Sequence, residues 1–494
     1  MMINNKVLSS IYHNCEVNPE HTAIDYEGRI LSYADLKLQI EKNAGKIQKI
    51  GINSGHRVAV VISHKVEFIV MWLACWQSRC IPIPIEPALK SHDLEQAVLV
   101  SQCNYLISDQ PSLRENINLK IVKASMDLDI YDVFASNKET DELSLDTSLN
   151  FYTSGTTGLP KCVQFSHSSI YENILAICNG LNLLVKDIMF TPLSPSLPAI
   201  LTTAVLPVLC AGATLVMSQH AIPSKVFEII KTKSVTVFFA VPYLYAMLNE
   251  SVVSSKGVSW DNLRLCISSS ANLDFSIIDE FYKMTGISIR SLYCSSEGGA
   301  IAYNSSNDKE LVKHSVGKAH PGVCIKLLDS MQNQVQIGET GELWVSGNKV
   351  AIGYFQQPLL QEEVFKDGWV KTGDLFTLDS EGNLYICGRV SDTINVSGYL
   401  VNPLEVEQII MQHEQVKDVI IFGVKDKYSG EKIFADIVSK GGDVTSEDIL
   451  IFCSERMAHY KVPRIIEWVN EIPTGRYGKR LRNYAQTASK VSEL

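Results

Sequence analysis

Apolar positions in the N-terminal part of the chain alternate between two rhythms. They recur at helical spacing from Tyr33 to Ile50 and run unbroken through Arg57–Ser63 (RVAVVIS). Helical spacing returns over Val66–Gln77, and the positions close up again in Ile81–Ile85 (IPIPI). Short apolar blocks joined by helices of this length predict buried strands of a parallel sheet, because a crossover helix is what returns the chain to the same sheet edge. The rhythm recurs later. A helix over Ser168–Leu181 leads to Ala213–Met217 (ATLVM), and one over Ser224–Lys231 leads to Val235–Phe239 (VTVFF). From Gly341 on the texture shifts to hairpins, with Gly341–Gly347 (GELWVSG) and Gly382–Gly388 (GNLYICG) reading as strands bounded by glycines. The C-terminal part then predicts a helix over Pro403–His413 and strands at Val419–Gly423 and Ile433–Val438. A further helix runs through Met457 from Thr445, which Asp448 matches as a capping box. The expected fold class is α/β: a large N-terminal domain of α/β layers with a hairpin-rich β subdomain, plus a small mobile C-terminal α+β domain. The boundary falls in Gly388–Asp392, giving 1–388 and 389–494.

Composition narrows the functional classes. A chain of 494 residues exceeds one ordinary core, and 46% hydrophobic with 20% charged residues is globular. A net charge of −10 speaks against a nucleic-acid partner, which needs a surplus of Lys and Arg. The sequence MMINNKVLSS lacks a basic stretch leading into an apolar core, and no long uninterrupted apolar run occurs. No membrane span and a cytoplasmic location are expected. Twelve cysteines form no C-x-x-C pair, and Cys75, Cys210 and Cys324 sit in apolar runs. They read as buried free thiols in a reducing compartment rather than disulfides or zinc ligands.

The candidate chemistry begins at Tyr152–Lys161, YTSGTTGLPK. Thr153, Ser154, Gly155, Thr156, Thr157 and Gly158 combine backbone that can approach an anion closely with hydroxyl donors that can follow a phosphate. A surface turn rich in Gly and Thr has the same composition. The stretch also departs from the nucleotide P-loop: its glycines are three apart, Pro160 precedes Lys161, and Cys162 stands where a hydroxyl would hold Mg²⁺. Further along come Tyr293–Glu297 (YCSSE), Gly341–Gly347, Lys371–Leu375 (KTGDL), Gly388–Arg389 and Pro473–Lys479 (PTGRYGK). In this order, and over nearly the whole chain, the set resembles the adenylate-forming superfamily of acyl- and aryl-CoA ligases, peptide-synthetase adenylation domains and luciferases.

The resemblance implies that ATP and a carboxylic acid form an acyl-adenylate and pyrophosphate, after which a thiol displaces AMP. It assigns Thr153, Ser154, Gly155, Thr156, Thr157, Gly158 and Lys161 to phosphate, and Glu297 to Mg²⁺. A hard cation that neutralises phosphate charge takes carboxylate oxygen. Ser296 would face the α-phosphate, and Tyr293 would pack by adenine, with Cys294 where the family commonly has Gly. Ser270, Ala271 and Asn272, in the serine-rich stretch Ser268–Leu273, would lie along adenine. Asp374 would accept both ribose hydroxyls, a vicinal diol that suits two carboxylate oxygens. Arg389 would contact nucleotide, a structural ion pair being its alternative. Lys479 would bridge carboxylate and α-phosphate as charge develops. Ser391 occupies the domain pivot, where Asp or Lys is usual. Gly398, within Val396–Tyr399, would line the thiol channel. His167 matches a frequent family position and reads as a structural histidine.

The acyl pocket is expected from Phe190–Val205, Phe238–Tyr245 and Leu292–Tyr303. Phe190–Leu201 (FTPLSPSLPAIL) carries no acid to pair with an ammonium, so a free α-amino acid is disfavoured and a neutral, mainly apolar acid is expected. The thiol acceptor is coenzyme A, or alternatively the phosphopantetheine of an acyl or peptidyl carrier protein acting in trans. Two readings from other classes are an ATP-binding regulatory protein, which the joint presence of Glu297, Asp374 and Lys479 opposes, and an oxidative luciferase, which oxygen uptake would distinguish.

Overall fold

In a computed structural model of the chain, structure is described for residues 5–110, 132–135, 147–153, 161–251, 258–271, 273–397, 399–426, 429–442 and 444–474. The fold is mixed α/β with several sheets and a small C-terminal domain. Two compact units emerge, Met1–Ile325 with Val345–Lys371, and Lys326–Trp344 with Thr372–Leu494. The boundary expected at 388/389 lies inside the second unit.

The first unit is built on a nine-stranded sheet. Its centre is parallel, in the order Ile289–Ser295, Leu265–Ser268, Val237–Ala240, Ile188–Phe190, Thr214–Met217, Thr22–Tyr26. Antiparallel partners, Gly299–Tyr303 and Arg29–Ser32, continue it on the two sides. Strands Thr214–Met217 and Val237–Ala240 are buried along their whole length, which is why they read as unbroken apolar blocks rather than alternating ones. A second sheet places Arg57–Val61 between Ile81–Pro84 and Tyr105–Ser108, all parallel. A third, of three antiparallel strands, pairs Thr147–Thr153 with Lys161–Ser166 and the latter with Gly353–Tyr354.

Helix Tyr33–Lys49 starts at Ser32, whose side chain and Asp35 complete a capping box. Helix Lys65–Gln77 is buried over most of its circumference, Trp72 fully so. Helix His167–Gly180 is capped by Ser166 and Ser169. These elements lie within a residue or two of their expected bounds.

In the second unit, strand Leu384–Arg389 pairs antiparallel with residues 374–378 of Trp369–Leu378. Farther on, Gly430–Ser439 pairs with Val416–Asp426 on one side and runs parallel to Ile465–Trp468 on the other. Helices Pro403–Ile410 and Ser446–Ser454 cover one face through Val406, Ile410, Ile449 and Cys453, which pack against Val419, Ile421, Ile433 and Ala435. The capping box of Thr445 with Asp448 is present, and both helices end three residues before their expected last residues, His413 and Met457. All twelve cysteines are free, and Cys75 is buried as expected. Cys324 corrects the expectation: it is exposed, on strand Val323–Leu328. Among the described residues no helix is long and apolar enough to cross a membrane.

Candidate active site

The predicted phosphate loop is flanked by two antiparallel strands, Thr147–Thr153 and Lys161–Ser166. Leu149, Phe151, Val163 and Phe165 are the buried positions of these strands, whose last described pair is Thr153 opposite Lys161. Ser154, Gly155, Thr156, Thr157 and Gly158 lie outside the described residues. Lys161 Nζ stands 5.5 Å from the centroid of the Tyr354 ring. Tyr354 belongs to the neighbouring edge strand, opposite Val163, and is 6% exposed. Its hydroxyl donates to Glu297 Oε1 at 2.6 Å. Burial, and then the Glu297 charge, push this phenol well above the usual tyrosine range, so it remains a donor at any working pH.

Glu297 occupies the turn between strands Ile289–Ser295 and Gly299–Tyr303. Three contacts fix that turn. The Glu297 carbonyl accepts from Ala351 N at 2.8 Å, Ser295 Oγ accepts from Gly298 N at 2.8 Å, and Asn173 Oδ1 accepts from Ala300 N at 2.7 Å. Gly299 has φ +68, and a Cβ there would lie 2.2 Å from Asn173 Oδ1, so both the backbone and the space demand glycine. Tyr354 and Asn173 were missed from sequence. No motif marks them: Tyr354 reaches Glu297, and Asn173 reaches Ala300 just past it, only through contacts between distant parts of the chain.

Tyr293 is half-buried and Ser296 exposed on the same hairpin. The strand register shifts between Tyr293 and Cys294, at the position that departs from glycine. Cys294 is not among the described non-glycine residues of positive φ. Ser270 is, at φ +76, immediately past strand Leu265–Ser268. Ser270 and Ala271 are exposed at the C-terminal end of a parallel strand, the edge where ligands of open α/β sheets bind. Ser269 Oγ ties the stretch down by donating to Leu292 O at 2.9 Å. Asn272 lies outside the described residues.

In the second unit, antiparallel pairing sets Asp374 directly opposite Arg389, and Arg389 Nε meets Asp374 Oδ1 at 2.9 Å. The two residues read separately as nucleotide contacts are thus one ion pair, with the carboxylate side chain 12% exposed and the guanidinium 40%. Ser391 is exposed in the 3-10 turn Val390–Asp392, its hydroxyl donating to Asp392 Oδ1 at 3.0 Å. Gly398 and Lys479 fall outside the described residues. Beside Val396 and Ser397 a cavity of about 290 Å³ is lined by Lys432, Arg464, Asp426 and Tyr460.

Of the expected acyl-pocket aromatics, Phe190, Phe238 and Tyr245 are fully buried as core, Phe238 meeting Phe190 at a tilt and Tyr245 edge-to-face. Phe190–Leu201 carries no acid of its own; Glu86, from elsewhere in the chain, accepts from Ser196 Oγ at 2.9 Å and has the Lys65 ammonium as its counter-charge. His167 packs with its ring centroid 6.0 Å from that of Trp76. Among the described residues, no group of three or more His, Cys, Asp or Glu side chains could hold a metal alone.

A family model described as AMP-binding enzyme matches residues 11–355, and one for the AMP-binding enzyme C-terminal domain matches residues 405–479. The long-chain-fatty-acid–CoA ligase of Bacillus subtilis (strain 168) is 27% identical, over 97% of this chain and 94% of its own. Feruloyl-CoA synthase from an Amycolatopsis species is 26% identical, over 94% of this chain and 95% of its own. The crystal structure of ATP-bound MatB from Rhodopseudomonas palustris has a TM-score of 0.86 at 24% identity, covering 99% of both chains, a likeness of fold.

Proposed function

Because the chain belongs to the AMP-binding enzyme family, we propose that it is an AMP-forming acid–thiol ligase acting on a neutral, mainly apolar acyl or aryl acid. In the first step a carboxylate oxygen attacks the α-phosphorus of ATP and the bond to the β-phosphate breaks, releasing pyrophosphate. In the second, a thiol sulfur attacks the acyl carbon, the bond to AMP breaks, and AMP leaves as the thioester forms.

One observation carries the reading. Lys161, Tyr354 and Glu297 form a continuous chain of contacts that places the foot of the phosphate loop beside the acid assigned to metal. Thr153, Ser154, Thr156, Thr157 and Lys161 hold the β- and γ-phosphates. Bound Mg²⁺ supplies charge neutralisation at those oxygens. Glu297 keeps Oε1 on the Tyr354 hydroxyl and offers Oε2. Ser296 faces the α-phosphate, and Tyr293 with Ser270, Ala271 and Asn272 frames adenine. Asp374 takes the ribose hydroxyls while Arg389 holds the carboxylate in position.

We assign residues 389–494 to a lid that pivots at Ser391, bringing Lys479 to the α-phosphate in the first step and Gly398 to the thiol in the second. Coenzyme A is the acceptor we favour. The cavity beside Val396 and Ser397 supports it, since Arg464 offers a cation to a phosphorylated thiol beside Lys432, which is paired with Asp426 at 2.5 Å. A carrier-protein phosphopantetheine is the alternative. Twelve unpaired thiols support a cytoplasmic location. The test is hydroxamate trapping over a panel of acids, followed by thioester assay of the best acid with coenzyme A and with loaded carrier proteins. ATP-dependent hydroxamate from an apolar acid is expected, and none from any acid would reject the reading.

A further inference from the structure

Lys65 is an unusual lysine. It opens helix Lys65–Gln77, where the helix dipole disfavours a cation, and it is 9% exposed. Its ammonium donates to three main-chain carbonyls: Pro192 at 2.6 Å, Leu193 at 3.3 Å and Ser218 at 2.6 Å. Three donors meet three acceptors, so every hydrogen bond of this buried cation goes to a peptide dipole. The loop it grips follows strand Ile188–Phe190 and opens the segment expected to form the acyl pocket. This loop leaves the sheet on the same C-terminal edge as Ser270 and Ala271, with strand Val237–Ala240 between them.

Pro192 and Pro195 deny the loop two backbone donors, and main-chain bonds from Thr191 N to Val216 O at 3.1 Å and from Leu197 N to Ser194 O at 3.2 Å hold only its ends, so side chains add to its hold. Glu86 grips its far end, accepting from Ser196 Oγ at 2.9 Å, and Ser194 and Ser196 share a hydrogen bond of 2.6 Å. Lysine on the carbonyls of 192 and 193 and glutamate on the hydroxyl of 196 form a latch across the loop.

We propose that Lys65 is a positioning residue for the carboxylic acid: its charge clamps the loop 192–196 and thereby sets the wall of the acyl site. This rests on the ligase reading above. Two charged groups face the ammonium from neighbouring elements, Glu86 after strand Ile81–Pro84 and Glu27 in the turn before Arg29. Lys225 stands behind Glu27, at 3.5 Å. Nearby on its own segment, His64 pairs with Glu67, and Asp109 accepts from the backbone of Ser63 and His64. His220 offers its carbonyl to Ser218 Oγ. Burial pulls the ammonium down to about 8 against the opposing effect of Glu86 and Glu27. The clamp is therefore charged below that pH and weakens as pH rises through it.

The experiment compares wild type, Lys65→Met and Lys65→Arg in acid-dependent pyrophosphate exchange on both sides of pH 8, with hydrogen exchange of the amides of 193–197 read in parallel. Lys65→Met should raise the KM for acid by roughly tenfold or more, leave the KM for ATP within about twofold, and speed exchange of the loop amides. In wild type the KM for acid should rise above pH 8. Lys65→Arg, which stays charged, should keep a near-normal KM and lose that rise. An unchanged acid KM in Lys65→Met, a parallel rise in the KM for ATP, or a pH effect that persists in Lys65→Arg would overturn the proposal. If Lys65→Met fails to fold, the arginine profile decides it. Absence of exchange with every acid in wild type would reject the ligase reading, while the loop amides still report whether the clamp exists.

Discussion

Replacing Tyr354 by Phe removes one oxygen and keeps the ring. The edge-to-face contact with Phe365, with centroids 5.4 Å apart, and the approach of Lys161 to the ring both survive. The strands that flank the phosphate loop should therefore stay in place. What is lost is a 2.6 Å hydrogen bond to a carboxylate, of a kind that contributes about 1.5–3 kcal/mol. Glu297 is only partly buried, so water can replace the phenol and the lower figure applies. About 1.5 kcal/mol corresponds to roughly a tenfold loss. That loss should fall on kcat/KM for MgATP in pyrophosphate exchange, because it is the presentation of Glu297 to the metal and phosphates that deteriorates. Thioester synthesis from a supplied acyl-adenylate needs no triphosphate and should proceed at the wild-type rate. The phenol is pushed far above working pH, so the ratio of mutant to wild type should not vary with pH. An unchanged kcat/KM for MgATP, or an equal loss in both half-reactions, would refute the link between Tyr354 and metal-bound ATP.

Lys479→Ala should slow adenylate formation by roughly a hundred- to a thousandfold while sparing thioester synthesis from a supplied adenylate; equal losses in the two assays would remove its assigned role. Asp374→Asn keeps the shape but loses the charge that meets Arg389 at 2.9 Å, and calorimetric affinity for a non-hydrolysable ATP should drop about tenfold. Undiminished affinity would leave the pair merely structural. Asp436 is pushed up to about 6 by burial and by Glu467, its neighbour across paired strands. Its folded value is raised, so its ionisation costs stability increasingly as pH rises from the ordinary carboxylate range through 6. Asp436→Asn should therefore stabilise the protein at pH 8 by about 1 kcal/mol, after allowance for the partial exposure of the carboxyl, and change little at pH 4, as measured by denaturant melts. Equal stability of the two proteins at pH 8 would contradict this.

The α/β alternation was readable because strands such as Val237–Ala240 are buried along their whole length and therefore appear as unbroken apolar blocks. Glu297, Asp374 and Ser270 were readable as motif positions, since each motif is local in sequence. What joins them was not. The pairing of Asp374 with Arg389 depends on strand register, the approach of Tyr354 to Glu297 on a short edge strand far along the chain, and the clamp of Lys65 on the burial of a residue that looks like an ordinary surface lysine. A carboxylate such as Glu86, delivered to Ser196 from another sheet, also escapes any reading confined to one segment. The positive φ of Ser270 is a local property, yet nothing in the residue type announces it.

The thiols have a further consequence. An enzyme that holds an activated acyl group close to sulfur risks acylating itself, and this chain carries twelve sulfhydryls. Cys294, two residues from Ser296, is the most hazardously placed, yet burial pushes it up to about 12. At neutral pH Cys294 is then held as the protonated thiol, a poor nucleophile beside an incoming acceptor. Cys162, next to Lys161, is quenched in the same way, likewise at about 12. Burying these groups removes their nucleophilicity without replacing the residues, so self-modification is suppressed by the local dielectric.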